Sequence, residues 1–148
     1  MRAGSWTPMW IIPRKNISPE PVTEVTCAII LRDNKVLVTQ RSGKMPHPLK
    51  WEFPGGKVKE GESVQECIRR EVYEELGLRV EVERLLPSVN HTYGNTPITL
   101  IPLVCTITAG KVALAEHLAS RWIPLDELEG VDWLEADKGV VRLIRERL

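Results

Sequence analysis

The sequence predicts a layered α/β domain, helices flanking a sheet, and three observations carry that prediction. Two strand-like runs, 23–31 (TEVTCAIIL) and 35–41 (KVLVTQR), are joined by the turn formers Asp33-Asn34. An amphipathic segment over 64–76 is bracketed by a helix start and a helix stop. Strand-like runs resume over 79–92 and 97–108, and a second amphipathic segment spans 137–148. Strands and helices in that mixed order pack as layers around one core.

Each element has a local reason. The 23–31 run is apolar in its second half, as a buried strand should be, and 35–41 is its hairpin partner. Gly43, Pro46 and Pro48 make 42–50 a loop, and Trp51-Glu52-Phe53 is a short extended piece entering Pro54-Gly55-Gly56. Ser63 and Glu66 fit a capping box, and Gly77 is a natural stop, so the first helix is Val64–Leu76. Gly94-Asn95 turns the chain between the next two strands, and 117–123 forms a last short strand. The final helix turns Val140, Val141 and Ile144 inward. Residues 1–21 hold Pro8, Pro13, Pro19 and Pro21 with Trp6 and Trp10, and read as an extended arm before a single domain over 22–148. That arm is either a loose tail or a segment whose tryptophans dock on the domain or on a partner.

Bulk properties narrow the function. The chain has 148 residues, enough for one real core. Its 20 basic and 20 acidic residues cancel, so it has no general pull on polymeric nucleic acid or on an anionic membrane. Any phosphate it handles must be held by local groups. Cys27, Cys67 and Cys105 are odd in number and widely spaced, which predicts three small core residues in a reducing compartment rather than a disulfide or a metal site. No apolar run is long enough to span a bilayer, and Pro8 and Pro13 bracket Trp10-Ile11-Ile12 too closely for a signal-peptide core. The expected location is the cytoplasm. Oligomeric state is not legible.

The helix over 64–76 carries an anomaly. At about 100° per residue, Val64, Cys67 and Ile68 define an apolar stripe. Glu71 and Glu75 fall inside that stripe and Glu74 falls at its border. Burying one carboxylate is costly, and gathering three adds like-charge repulsion. Either these acids are solvated or paired with Arg70, four residues before Glu74, or they hold a divalent cation, since hard oxygen ligands suit magnesium or manganese. The preceding loop favours the cation. The Gly55-Gly56 pair lets main chain approach a ligand closely, and Lys57 offers a point charge to a phosphate.

Read together, these residues resemble the Nudix box, G-x5-E-x7-R-E-U-x-E-E-x-G-U, with U a bulky apolar residue. Gly56, Glu62, Arg70, Glu71, Val72, Glu74, Glu75, Gly77 and Leu78 fill it without a departure. Seven positions demand one residue type each, so a chance match in this chain is on the order of 10⁻⁷. The runs WEFPGGKVKEGES, EHLASRWIPLDEL and ADKGVV resemble the MutT branch, whose members hydrolyse nucleoside triphosphates, and the likeness covers about residues 23–147.

The resemblance implies the Nudix fold, a mixed sheet between helices, and a set of roles. Glu71, Glu74 and Glu75 are then metal-binding acids, joined by the main-chain carbonyl of Gly55. Glu116 matches a loop acid that binds metal or takes a proton, against the plainer reading of a solvated loop glutamate. Arg70 orients the acids through salt bridges, and Glu62 supports the loop and the helix start. Arg41 matches a phosphate-binding arginine, with a strand-end surface charge as the rival. Phe53 and Asp137 line the base pocket, unless Phe53 is simply core and Asp137 simply caps the last helix. Relatives that recognise oxidised guanine often carry Asn where this chain has Asp137. An ionised Asp only accepts hydrogen bonds, which suits an exocyclic amine and raises a cytosine nucleotide as a contender.

The implied activity is magnesium-dependent hydrolysis of a nucleoside triphosphate, modified, oxidised or cytosine-based, to a monophosphate and pyrophosphate, with manganese as the other candidate ion. Rivals are a Nudix hydrolase of dinucleotides, sugar nucleotides or capped RNA, a non-catalytic nucleotide sensor, and an interaction module recruiting through the arm. The intact box argues against the sensor, and the neutral charge disfavours long RNA.

Overall fold

The computed structural model of the chain describes residues 22–148; the arm expected over residues 1–21 lies outside the described residues. Seven strands and two α-helices follow one another as β1 (Thr23–Arg32), β2 (Lys35–Gln40), β3 (Trp51–Glu52), α1 (Val64–Leu76), β4 (Arg79–Leu85), β5 (Val89–Tyr93), β6 (Thr96–Ala109), β7 (Ala119–Pro124) and α2 (Asp137–Arg147).

β1 is the seam of the sheet. On one edge it runs parallel to β6, from Thr23 opposite Ile98 to Ile30 opposite Cys105. On the other edge it meets β2 only beside the turn, at Leu31–Val36 and Arg32–Lys35. That turn needs positive φ at Asp33 (53°) and Asn34 (63°), which these two residue types tolerate. Beyond it β1 and β2 part, and the loop after β3 fills the gap. Thr26 N–H donates to the Gly56 carbonyl at 2.8 Å, Ala28 N–H to that of Pro54 at 2.7 Å, and Val58 N–H to that of Glu24 at 3.0 Å. The glycine loop is thus held in the middle of the fold as an added strand edge. β2 in turn pairs antiparallel with β3 on one side and β7 on the other.

Alternation along β1 sends its side chains to two cores. Cys27 and Ile29 pack with Val36, Val38, Phe53, Ile123, Trp133 and the inner face of α2, where Val140, Val141 and Ile144 are buried as expected. Ala28 and Ile30 pack on the other face with Leu37, Leu103 and the α1 residues Ile68, Val72 and Leu76. Each of the fully buried Val, Leu and Ile side chains contributes about 1.5–3 kcal/mol. A mixed sheet between two helices is the predicted class.

α1 starts and stops where the sequence placed it. Ser63 Oγ accepts from Glu66 N–H at 3.0 Å while Glu66 Oε1 accepts from Ser63 N–H at 2.9 Å, and Gly77 ends the helix in the left-handed region. One element differs. The single strand expected over 79–92 is two, β4 and β5, both antiparallel to β6. Leu85 faces Leu103 and Val89 faces Leu100, so residues 86–88 oppose only 101 and 102. Pro87 lies in this bulge, where no ladder donor is required of it. A 3-10 turn over Leu125–Gly130 was also not foreseen. All three cysteines are buried and free, in agreement with the expectation of small core residues. No helix among the described residues is long and apolar enough to cross a membrane.

Candidate active site

A cleft of about 640 Å³ opens where β1 and β2 part, and nearly every singled-out residue lines it: Arg41, Phe53, Gly55, Lys57, Glu71, Glu74, Glu75, Glu116 and Asp137. That volume suits a drug-sized ligand.

The acids of α1 reach the cleft through the glycine loop. A Cβ on Gly55, whose φ is +150°, would meet the Thr26 carbonyl oxygen at 2.0 Å, so only glycine lets the loop lie against β1. Gly55 N–H donates to Glu75 Oε1 at 3.4 Å. Cys67 ties the same loop to the helix, with its Sγ 3.3 Å from Thr26 Oγ1 and 3.4 Å from the Lys57 carbonyl. Burial, and then the charge of Glu71, push the Glu75 carboxyl well above the usual carboxylate range. A buried acid beside a second acid is the donor set that a divalent cation relieves.

Arg70 orders the rest. Its Nε and NH2 grip the two oxygens of Glu62 at 2.7 and 3.0 Å, its NH1 donates to Glu71 at 3.1 Å and to Glu74 at 3.2 Å, and NH2 also reaches the Lys57 carbonyl at 3.2 Å. The guanidinium beside Glu62 holds that carboxyl down at about 2. The orienting salt bridges anticipated for Arg70 are therefore present, and Glu62 braces the loop by accepting from Lys59 N–H at 3.0 Å. Glu74 is turned toward Arg70 and is 55% exposed. Among the described residues no three His, Cys, Asp or Glu side chains converge as a complete cage. Lys57 and Glu116 are exposed at the cleft.

The other part of the lining is apolar. Phe53 is both core and wall: it is 4% exposed and stacks on Trp133 with centroids 4.7 Å apart. Leu134, Ala136, Ile98, Leu100 and Tyr93 share this wall. Asp137 is not the helix cap. Ala136 occupies that position without a side-chain bond, and Asp137 is the first helical residue, with its carboxyl turned inward to accept Phe53 N–H at 2.8 Å. Burial raises Asp137 from 3.8 to about 8, with the Phe53 N–H opposing the rise and the charge of Glu52 adding to it. That direction favours the protonated carboxyl, which is a donor as well as an acceptor.

Arg41, just past β2, donates from Nε to the Pro46 carbonyl at 2.8 Å and from NH1 to Glu52 Oε1 at 3.0 Å; its side chain is 17% exposed, so it is not a plain surface charge. Glu52 and His117 were not anticipated. His117 Nε2 lies 2.8 Å from Glu52 Oε2, and both residues line the cleft. They are 65 positions apart in sequence, and only the pairing of β2 with both β3 and β7 brings them together.

The NUDIX domain family matches residues 22–143, most of the chain. The chain belongs to the Nudix family. A relative, the 8-oxo-dGTP diphosphatase of Buchnera aphidicola from Schizaphis graminum, is 34% identical over 107 residues, covering 72% of this chain and 81% of the relative. The CTP pyrophosphohydrolase of Escherichia coli is 35% identical over 104 residues, covering 70% and 77%. Among solved structures, the MutT protein of Methanosarcina mazei superposes with a TM-score of 0.77 at 25% identity, covering 87% of this chain and 97% of that one. Nudix hydrolases generally use divalent metal ions.

Proposed function

We propose that this Nudix chain is a magnesium-dependent pyrophosphohydrolase that converts a nucleoside triphosphate and water to a nucleoside monophosphate and pyrophosphate. The observation that carries the reading is the single cleft holding the Glu71–Glu75–Gly55 cluster together with the Phe53–Asp137 wall. One group of residues suits phosphates and a hard cation; the other suits a base.

Glu71, Glu75 and the Gly55 carbonyl would hold the ions, with Glu74 and Glu116 completing the set. When bound, magnesium supplies neutralisation of charge on the phosphoryl oxygens and a lowered pKa for water. The residues of the chain do the rest. Arg70 fixes the facing of Glu71 and Glu74. Arg41 and Lys57 take phosphate oxygens. Glu71 or Glu116 accepts the proton of the attacking water. Phe53 flanks the base, and Asp137 meets its hydrogen-bonding edge.

A neutral Asp137 would meet either base, since its O–H and C=O match the O6/N1–H edge of guanine and the N3/N4–H edge of cytosine alike. That removes the argument for preferring cytosine, and two relatives carry names of the two kinds, 8-oxo-dGTP diphosphatase and CTP pyrophosphohydrolase. Three buried free thiols suit a reducing compartment, and the cytoplasm is the proposed location. The test is a hydrolysis panel of dGTP, 8-oxo-dGTP, CTP, dCTP and methylated dCTP with magnesium, with products separated by chromatography. Monophosphate and pyrophosphate are expected. Hydrolysis of sugar nucleotides or dinucleotides with none of the triphosphates would overturn the reading.

A further inference from the structure

Arg41, Glu52 and His117 form a chain that crosses three elements. Glu52 is the shared centre: Oε1 accepts from Arg41 NH1 at 3.0 Å and Oε2 accepts from His117 Nε2 at 2.8 Å. All three side chains are mostly buried, at 17%, 16% and 6% exposure. His117 Nδ1 is buried and has no partner among the described residues, so the ring's polar contact is made through Nε2 alone. A carboxylate can only accept, so Nε2 carries the hydrogen.

The strand pairing explains the meeting. Thr39 of β2 faces Glu52 of β3 on one edge and Ser120 of β7 on the other. The residues before β7 therefore come up beside Glu52, and Leu118 N–H extends that pairing to the Gln40 carbonyl at 2.9 Å. His117 follows Glu116 directly, and Ala115 N–H donates to the Glu75 carbonyl at 3.1 Å. One imidazole thus sits between the loop that presents Glu116 and the arginine at the end of β2.

We propose that His117 is a positioning residue of this active site: it holds Glu52, and Glu52 aims Arg41 at the substrate. Among the described residues His117 alone partners Glu52 Oε2, and a buried acceptor without a partner pulls toward any donor it can reach. Without the imidazole N–H the carboxylate turns, and Arg41 turns with it. The proposal rests on the reading of Arg41 as a phosphate contact.

The experiment uses the triphosphate of the panel above that the full chain turns over fastest. His117→Leu keeps an apolar side chain of similar reach and removes the donor. His117→Gln keeps an N–H at nearly the Nε2 position. Expected is a rise in KM of about tenfold for His117→Leu with a smaller fall in kcat, and recovery to within about twofold in His117→Gln. In an Arg41→Ala background, His117→Leu should add almost nothing, since both act at one contact. Parental kinetics for His117→Leu, equal loss in the Leu and Gln variants, or independent multiplication with Arg41→Ala would each overturn the proposal. Arg41→Ala with parental KM would instead sink the reading of Arg41, and this proposal with it; an impaired Arg41→Ala beside a parental His117→Leu sinks this proposal alone.

Discussion

The α-carbon of Gly56 lies against the carboxylate of Glu71, so close that a methyl group there would stand 2.3 Å from Oε2 and 2.4 Å from Cδ. The neighbouring Gly55 has a different obstacle, the Thr26 main chain at 2.0 Å. The two glycines therefore predict opposite phenotypes. In Gly56→Ala the obstacle is the end of a flexible side chain, which swings away; folding survives and activity falls on the order of 10²-fold because Glu71 is misplaced. In Gly55→Ala the obstacle is backbone and the φ of +150° disfavours any side chain. Stability should drop by about 3 kcal/mol, a Tm loss of about 10 °C. Thermal melts beside kinetics for both variants separate a site glycine from a fold glycine; equal melts would refute the distinction.

Glu75 predicts a trade between folding and catalysis. Its carboxyl is held above the normal range by burial and by Glu71, so its ionised form opposes folding when no cation is bound. Glu75→Gln should melt at or above the parent in EDTA. Added magnesium should raise the Tm of the parent and not of the variant, because a ligand of the folded state stabilises it in proportion to its affinity. The variant's kcat should fall on the order of 10³-fold, and EDTA should abolish parental turnover. A variant that melts far below the parent in EDTA yet turns over normally would make Glu75 structural.

Arg70 is predicted to resist even a lysine. Its guanidinium serves Glu62, Glu71, Glu74 and the Lys57 carbonyl at once, a fork that a single ammonium cannot reproduce. Arg70→Lys should lower kcat/KM about 10- to 100-fold through misaimed acids. The check is the magnesium dependence of the rate, which should shift to higher concentration. An unchanged magnesium midpoint would reduce Arg70 to a surface bridge.

The box was legible because each of its residues advertises its chemistry at fixed spacing: glycines for close approach, acids on an apolar stripe, one arginine among them. α1 was legible for the same local reason, with Ser63, Glu66 and Gly77 all within reach of the helix they bound. What lay beyond reach was tertiary. Nothing in the sequence joins Glu52 to His117, because the join is made by β2 pairing on both edges. The interruption after Leu85 depends on how two strands share the length of β6, which a run of β-formers does not disclose. Asp137 stayed open between pocket wall and helix cap, because an acid at the start of a helix fits either. Its inward rotation is set by Phe53 N–H, 84 positions away.

That rotation yields a pH prediction with a definite sign. The folded-state value of Asp137 is about 8 against 3.8 for the ordinary group, so the folded chain retains a proton that the unfolded chain loses. Its contribution to stability is complete below about pH 4 and is lost as pH rises through about 8. Asp137→Asn carries no such proton, and its amide oxygen can still accept from Phe53 N–H. The Tm of Asp137→Asn minus that of the parent should therefore climb between pH 5 and pH 8.5 and level off above. The same proton governs the base. Near pH 6.5 the parent presents a donor and an acceptor, as the amide does, so the two should rank guanine-type and cytosine-type triphosphates alike. Above pH 8 the parent loses its donor and becomes a carboxylate facing a keto oxygen, while Asn is unchanged. The ratio of kcat/KM for 8-oxo-dGTP over dCTP should then change in the parent and hold steady in the variant, since a site built for one hydrogen-bonding edge discriminates strongly when a buried group is left unpaired. Parallel pH profiles of that ratio in the two proteins would show that Asp137 does not read the base.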